Sequence, residues 1–222
     1  MTDFIVRGIP GSPYVRAALL ALEEKGTAWR LEPLAMGGQH APEWRAYQPF
    51  GKIPAFEHDG TRFYETQACL RYVDRVMPGP ALASADPRVL LRMDQLLNVV
   101  DCYVAPKVSG LSFWRHVAPQ FGMLVDEEAV VAMVPEAKIT VDEVARLLGD
   151  QPYLAGNALS LADLHMVAHL GFVPEYAEGQ GLLAPHANLR DWITRMTARP
   201  SYAATEWEML LERFPVAEAA AA

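Results

Sequence analysis

The sequence predicts an α/β half followed by an all-helical half. Up to residue 77, short β-branched and aromatic runs alternate with helical stripes. A proline-rich stretch, "MPGPALASADP", follows at 77–87, and beyond it only helical spacing remains. The expected domains are residues 1–77 and 87–222, joined by a linker at 78–86. A chain of 222 residues with 51% hydrophobic content can bury a core in each.

"DFIVRGI" (3–9) reads as a strand from its β-branched and aromatic content. Val15, Ala18, Leu19 and Leu22 then fall at i, i+3, i+4 and i+7, one stripe of a helix. Ser12 suits its N-cap, Pro13 its first position, Lys25 its last turn and Gly26 its stop. "TAWRLEPL" (27–34) is the second strand, with Trp29 and Leu31 on one face, and the three pieces make a βαβ unit with a parallel pair. A Gly-Gly and proline loop with one helical turn at Pro42–Tyr47 comes next. "KIPAFEH" and "TRFYE" flank Asp59-Gly60, a two-residue hairpin signal. Thr66 can cap a helix carrying Cys69, Leu70, Val73 and Val76. The half reads β-α-β-(α)-β-β-α, a small mixed sheet with helices on its faces.

Beyond the linker, helical patterns occupy roughly 86–107, 126–149, 160–171, 187–199 and 201–213, and Pro135 is expected to kink or split the second. "PVAEAAAA" (215–222) reads as frayed tail.

The formal charge of −8 argues against nucleic acid or an anionic membrane as partner. Residues 1–16 show no basic leader with an apolar run, and no apolar stretch approaches the roughly 20 residues of a membrane span. Cys69 and Cys102 lie far apart without a CxxC, so neither a disulfide framework nor a redox pair is indicated and a cytoplasmic setting is expected. His165 and His169 have the i, i+4 spacing of metal ligands, but no Glu follows the first and no third ligand is evident, so no metal is expected. There is no glycine-rich phosphate loop, which argues against a nucleotide. "GSPYV" is not the G-x-S-x-G of a serine hydrolase. Ser160 with Asp163 has capping-box spacing.

Five stretches, in this order, resemble the cytosolic glutathione transferases: "SPYVRAALLALEEKG", "QPFGKIPAF", "YETQACLRYV", "YLAGNALSLADL" and "WITRMTARPSY". The second has Gln48 where the family has Asn, and the third has Thr66 in place of Ser. The resemblance covers nearly the whole chain and points to a serine-type, phi/theta-like bacterial member. It implies a thioredoxin-like N-terminal domain with a mixed four-stranded sheet, an all-helical C-terminal domain, and glutathione as co-substrate. It also implies conjugation to a small hydrophobic electrophile in detoxification, and a homodimer.

Ser12 has two readings. As an N-cap its hydroxyl is worth about 1 kcal/mol. As the family's catalytic residue it donates to the glutathione thiolate. A free thiol of pKa about 8.5 is only a few per cent ionised at pH 7, and lowering that pKa by about two units takes roughly 2.7 kcal/mol. A hydrogen bond to a charged acceptor supplies about 1.5–3 kcal/mol and a helix N-terminus about 0.3–1, so no strong base is required.

Ile53-Pro54 is either an ordinary trans edge proline or, as the resemblance implies, a cis bond that turns the Ile53 backbone toward the cysteinyl part of glutathione. Glu65 and Thr66 are either a solvated residue before a capped helix or a cradle, Glu65 accepting from the α-ammonium and Thr66 holding the α-carboxylate. Lys52 and His40 are surface residues or partners of the glycine carboxylate. Tyr103, Phe113 and Trp114, with His116 among them, are core, dimer contact or electrophile pocket. Two rival readings fit the same residues: a glutathione-binding scaffold without activity, and a glutathione-dependent reductase or isomerase.

Overall fold

The computed structural model describes Phe4–Val216, so the alanine-rich tail lies, from 217 on, outside the described residues. The chain forms two compact units: residues up to Ala83 together with the segment from Arg199 onward, and Ser84–Ala198.

In the first unit, β1 (Phe4–Gly8), α1 (Pro13–Glu24), β2 (Trp29–Pro33), β3 (Ala55–His58), β4 (Thr61–Tyr64) and α2 (Thr66–Val76) follow the expected order, with a 3-10 turn at Pro42–Ala46. The sheet order is β2-β1-β3-β4. β1 is parallel to β2 and antiparallel to β3, which is antiparallel to β4. Flanked on both sides, β1 is buried throughout. Trp29 and Leu31 are buried with exposed Arg30 between them, the alternation of a half-covered strand. Asp59 (φ +50°) and Gly60 (φ +75°) both have positive φ, as a type I′ hairpin turn needs. α1 is buried from Val15 to Leu22, wider than a single stripe, and this run includes Arg16.

The second unit opens with α3 (Pro87–Val99), capped by the Asp86 carboxylate, which accepts from the Arg88 N–H at 2.7 Å. The single helix expected over 86–107 needs correction. At Val100 the helix widens to π register, which runs to Ser109; one α turn, α4 (Gly110–Ser112), and a second π stretch, Phe113–Val117, follow. Pro106 lies within the first π stretch and has no N–H to give to an α ladder.

A second correction concerns Pro135. α5 (Glu127–Leu148) continues through it, so the helix is not split there. Pro135 and Val131 are both exposed, so the carbonyl that loses its i+4 donor is on the solvent side of the helix. α6 (Leu161–Leu170) is buried at all ten positions. The sequence reading omits α7 (Ala177–Leu183), whose Gly179 and Gly181 weaken the pattern. Gly179 is there for space, since a Cβ would stand 1.9 Å from the Val173 carbonyl oxygen. α8 (Ala187–Thr197) completes the unit.

α6 is fixed at its start by Asp163, which is fully buried. One carboxylate oxygen accepts from the Leu154 N–H (2.8 Å) and Trp192 Nε1 (3.0 Å), the other from the Ser160 N–H (3.0 Å) and hydroxyl (2.7 Å). Burial pushes the Asp163 carboxyl up, against these bonds. The predicted capping box is present and ties α6 to α8 as well. His165 and His169 each engage a residue of the first π stretch: His165 Nε2 lies 2.8 Å from Asp101 Oδ1, and His169 Nδ1 2.7 Å from Ser109 Oγ. Among the described residues, no group of three or more His, Cys, Asp or Glu could hold a metal ion.

The closing segment forms α9 (Pro200–Ala204) and α10 (Trp207–Arg213). The sequence reading assigns it to the helical half, whereas it groups with the first unit. The physical reason is charge on α1. Glu24 accepts from Arg199 Nε (2.8 Å) and Nη2 (2.7 Å) and from the Ser201 hydroxyl (2.5 Å). Burial raises the Glu24 carboxyl, but these bonds outweigh it and leave its pKa below the ordinary value.

Asp163→Ala would strand the Leu154 amide and the Trp192 indole N–H in the core. We expect it to lose more than about 3 kcal/mol of unfolding free energy in urea titration, and Ser160→Ala less than half of that. Equal, small losses would contradict the central place of the carboxylate.

Candidate active site at one end of the sheet

Strand register gathers three turns. Ala55 pairs with Arg7 on one side and Tyr64 on the other. One residue further, Gly8, Pro54 and Glu65 therefore leave the sheet at the same end. Gly8 has to be glycine: a Cβ there would sit 2.5 Å from Val15 Cγ2 and 3.5 Å from Pro54 Cβ. Its absence lets α1 and Pro54 close on the end of β1.

From Gly8 the chain turns into α1. The Ser12 N–H donates to the Ile9 carbonyl (3.1 Å), and the Ser12 carbonyl accepts from the Arg16 N–H (2.8 Å), starting the helix. Gly11 sits at φ +84°, a conformation suited to glycine. Ser12 holds the N-cap position in extended conformation (φ −61°, ψ 128°), with Pro13 next. Its hydroxyl makes no capping hydrogen bond. The cap is therefore positional only, and the half-buried hydroxyl stands at the electropositive start of a 12-residue helix without being committed to it.

The Ile53–Pro54 bond is cis, and Pro54 is buried beside half-buried Ile53. At α2 the structure corrects the expected cap. Glu65, not Thr66, is the N-cap; Thr66 is the first helical residue, and no side-chain capping bond forms. Glu65 takes φ +76°, ψ 113°, a strained conformation for a residue with a Cβ. It turns the chain sharply enough that Glu65 is exposed while Thr66, one residue on, is buried.

The loop before Pro54 is held from within. Gln48, 2% exposed, accepts through Oε1 from the Phe50 N–H (2.8 Å) and the Lys52 N–H (3.0 Å). Trp44 Nε1 donates to the Lys52 carbonyl at 2.7 Å. The Lys52 backbone is thus fixed on both sides while its side chain is exposed. A Cβ on Gly51 would be 3.6 Å from the Gln39 carbonyl oxygen, so the 3-10 turn Gly38–His40 lies beside Lys52. His40 is exposed, its Nε2 3.1 Å from Gln39 Nε2. Sequence reasoning missed Gln48 and Trp44 as the supports of this loop. The Gln-Pro-Phe-Gly turn was the available signal for Gln48, and Trp44 gave none.

In the second unit, Phe113 and Trp114 pack edge to face at 5.2 Å, and the His116 ring lies 5.3 Å from that of Phe172. Tyr103 stands in the earlier π stretch and is 58% exposed. Cys69 is fully buried in α2, which pushes its thiol well above the ordinary range.

Both halves of the chain match known proteins. A model for the glutathione S-transferase N-terminal domain matches residues 7–81, and one for the C-terminal domain matches 97–200. A glutathione S-transferase 4 of Zea mays is 31% identical over 194 residues, 86% of each chain. A glutathione S-transferase of Hyoscyamus muticus is 28% identical, covering 86% of this chain and 92% of its own. Glutathione transferase F2 of Populus trichocarpa superposes with a TM-score of 0.83 over 95% of this chain and all of its own, at 24% identity, and so attests the fold.

Gln48→Ala leaves two loop amides without their acceptor. We expect a loss of about 1–3 kcal/mol in chemical denaturation. An unchanged midpoint would show that the amide does not hold the turn.

Proposed function

We propose that this chain, which belongs to the glutathione S-transferase family, conjugates glutathione to an apolar electrophile through a thiolate stabilised by Ser12. The observation that carries the reading is the Ser12 hydroxyl, positioned at the start of α1 and making no capping bond. A capping bond would use the hydroxyl as acceptor and hold its rotamer toward the helix. Without one the side chain can turn its O–H toward sulfur, and the helix start adds its own preference for negative charge.

In this reading the thiol proton passes to solvent, and the thiolate attacks the electrophilic carbon to form a carbon–sulfur bond. A leaving group departs with the displaced electron pair, or the resulting carbanion takes a proton from water. Glutathione lies across the three turns. The Ile53 backbone beside cis Pro54 pairs with its cysteinyl unit, Glu65 accepts from the α-ammonium, and Thr66 holds the α-carboxylate by hydroxyl and amide. Lys52 and His40, on adjoining loops, supply positive charge for the glycine carboxylate. An apolar electrophile accounts for the aromatic side chains Tyr103, Phe113, Trp114 and His116 of the second unit. Assembly as a homodimer, a detoxification role and a cytoplasmic location belong to the same reading. Among the described residues no helix is long and apolar enough to cross a membrane.

A reductase passing through a mixed disulfide needs a reactive thiol at the catalytic turn. Ser12 occupies that turn, and the buried Cys69 thiol is held protonated, which weighs against this alternative.

The test is a pH titration of bound glutathione by ultraviolet thiolate absorbance, with Ser12→Ala alongside. Wild type is expected to ionise the thiol near pH 6–7, about two units below the free value. Ser12→Ala is expected to bind glutathione comparably, with the thiol pKa raised by about one and a half units and turnover near pH 7 reduced about tenfold. Binding without thiolate in both proteins would favour a scaffold.

A further inference from the structure

The closing segment reaches back to the catalytic turn. It is anchored at one end of α1 by Glu24 with Arg199 and Ser201, and nearer the start by Arg16, 3% exposed. The Arg16 guanidinium stacks on the Tyr202 ring, 3.5 Å from its centroid. Its Nη2 donates to the Tyr202 carbonyl at 2.9 Å and its Nε to Thr205 Oγ1 at 3.4 Å. Burial lowers the Arg16 pKa, with Tyr202, Glu206 and Glu208 acting against it. These anchors carry the chain to Trp207 at the start of α10. Its indole carbons Cγ and Cδ2 stand 3.4 Å from the place a Cβ would take on Gly11.

Gly11 immediately precedes Ser12. A glycine with positive φ brings no side chain to pack and has the largest backbone freedom of any residue. Across this turn, the Ser12 N–H to Ile9 carbonyl bond is its internal tie. The indole stands where it would meet a side chain at this position, about a methyl group away from the Gly11 backbone.

We propose that Trp207 is a positioning residue for Ser12: by backing Gly11 it holds the Ile9–Ser12 turn so that the hydroxyl meets the glutathione sulfur. The inference rests on the thiolate reading above and adds to it a residue far away in sequence. Hydrogen bonds weaken steeply with misalignment, so a looser turn stabilises the thiolate less while the peptide contacts at Ile53, Glu65 and Thr66 stay as they are. A ring of similar size should do the same work as indole.

The experiment measures the pH profile of thiolate absorbance with bound glutathione, and glutathione affinity by calorimetry, in wild type, Trp207→Ala, Trp207→Phe and Gly11→Ala. Trp207→Ala is expected to raise the bound thiol pKa by about half a unit, which lowers the thiolate fraction about threefold at pH values well below the pKa and at most about twofold at pH 7. Glutathione affinity should stay within about twofold, with turnover recovering at high pH where the thiol ionises unaided. Trp207→Phe should restore most of the profile. Gly11→Ala, whose methyl would stand 3.4 Å from the indole at an unfavourable φ, should shift the pKa in the same direction. It carries the test if Trp207→Ala fails to fold. A wild type that forms thiolate, with folded Trp207→Ala or Gly11→Ala matching its profile, would overturn the positioning role alone. A wild type that binds glutathione without forming thiolate would overturn this role together with the reading it rests on.

Discussion

Ala55 pairs with two strands at once, and the arrangement of the site depends on that. Its antiparallel neighbours are Arg7 and Tyr64, so the residues that leave the sheet beside it are Gly8, Pro54 and Glu65. A one-residue slip of β3 would turn Phe56 out of the core and draw the three turns apart. Around this register, single-purpose devices fix each turn. Glycine at 8 permits close approach, Gln48 and Trp44 clamp the loop before Pro54, and positive φ at Glu65 swings the chain into α2. The site is therefore largely backbone held in place by buried side chains.

The same economy governs the second unit. α6 is apolar nearly all round, so it gains its burial by being central, but its N-terminus then has no water to satisfy it. Asp163 meets that need with four accepted hydrogen bonds, two from the helix start and two from Leu154 and Trp192. A buried carboxylate is costly unless it is satisfied in this way. The histidine pair one and two turns on meets Asp101 and Ser109 through one nitrogen of each ring.

Much of the fold was legible in the sequence because periodicity and turn chemistry are local. The Asp59-Gly60 hairpin, Pro13 at the first position of α1, and the Ser160–Asp163 box all sit where those rules put them. Less legible was what a side chain does once its place is set. Ser12 occupies a cap position without making the cap bond, and Thr66 yields the N-cap to Glu65. Neither outcome has a local signal, since each depends on how the neighbouring backbone approaches. The change to π register at Val100 and the passage of α5 through Pro135 were hidden for a related reason: long packed helices tolerate local faults that propensity alone treats as ends. The allegiance of the closing segment was set by two charged residues on α1, Arg16 and Glu24. Of these, Arg16 inside an apolar run was the visible anomaly.

In the proposed function the turns at Ser12, Ile53 and Thr66 form one ligand site. The most direct measurement is a titration of isotope-labelled protein with glutathione, following backbone amide resonances. Shifts concentrated at residues 11–12, 52–53 and 65–67, saturating together with one affinity, are the predicted result. Shifts that leave those amides untouched, or that saturate at different concentrations for the different turns, would contradict it.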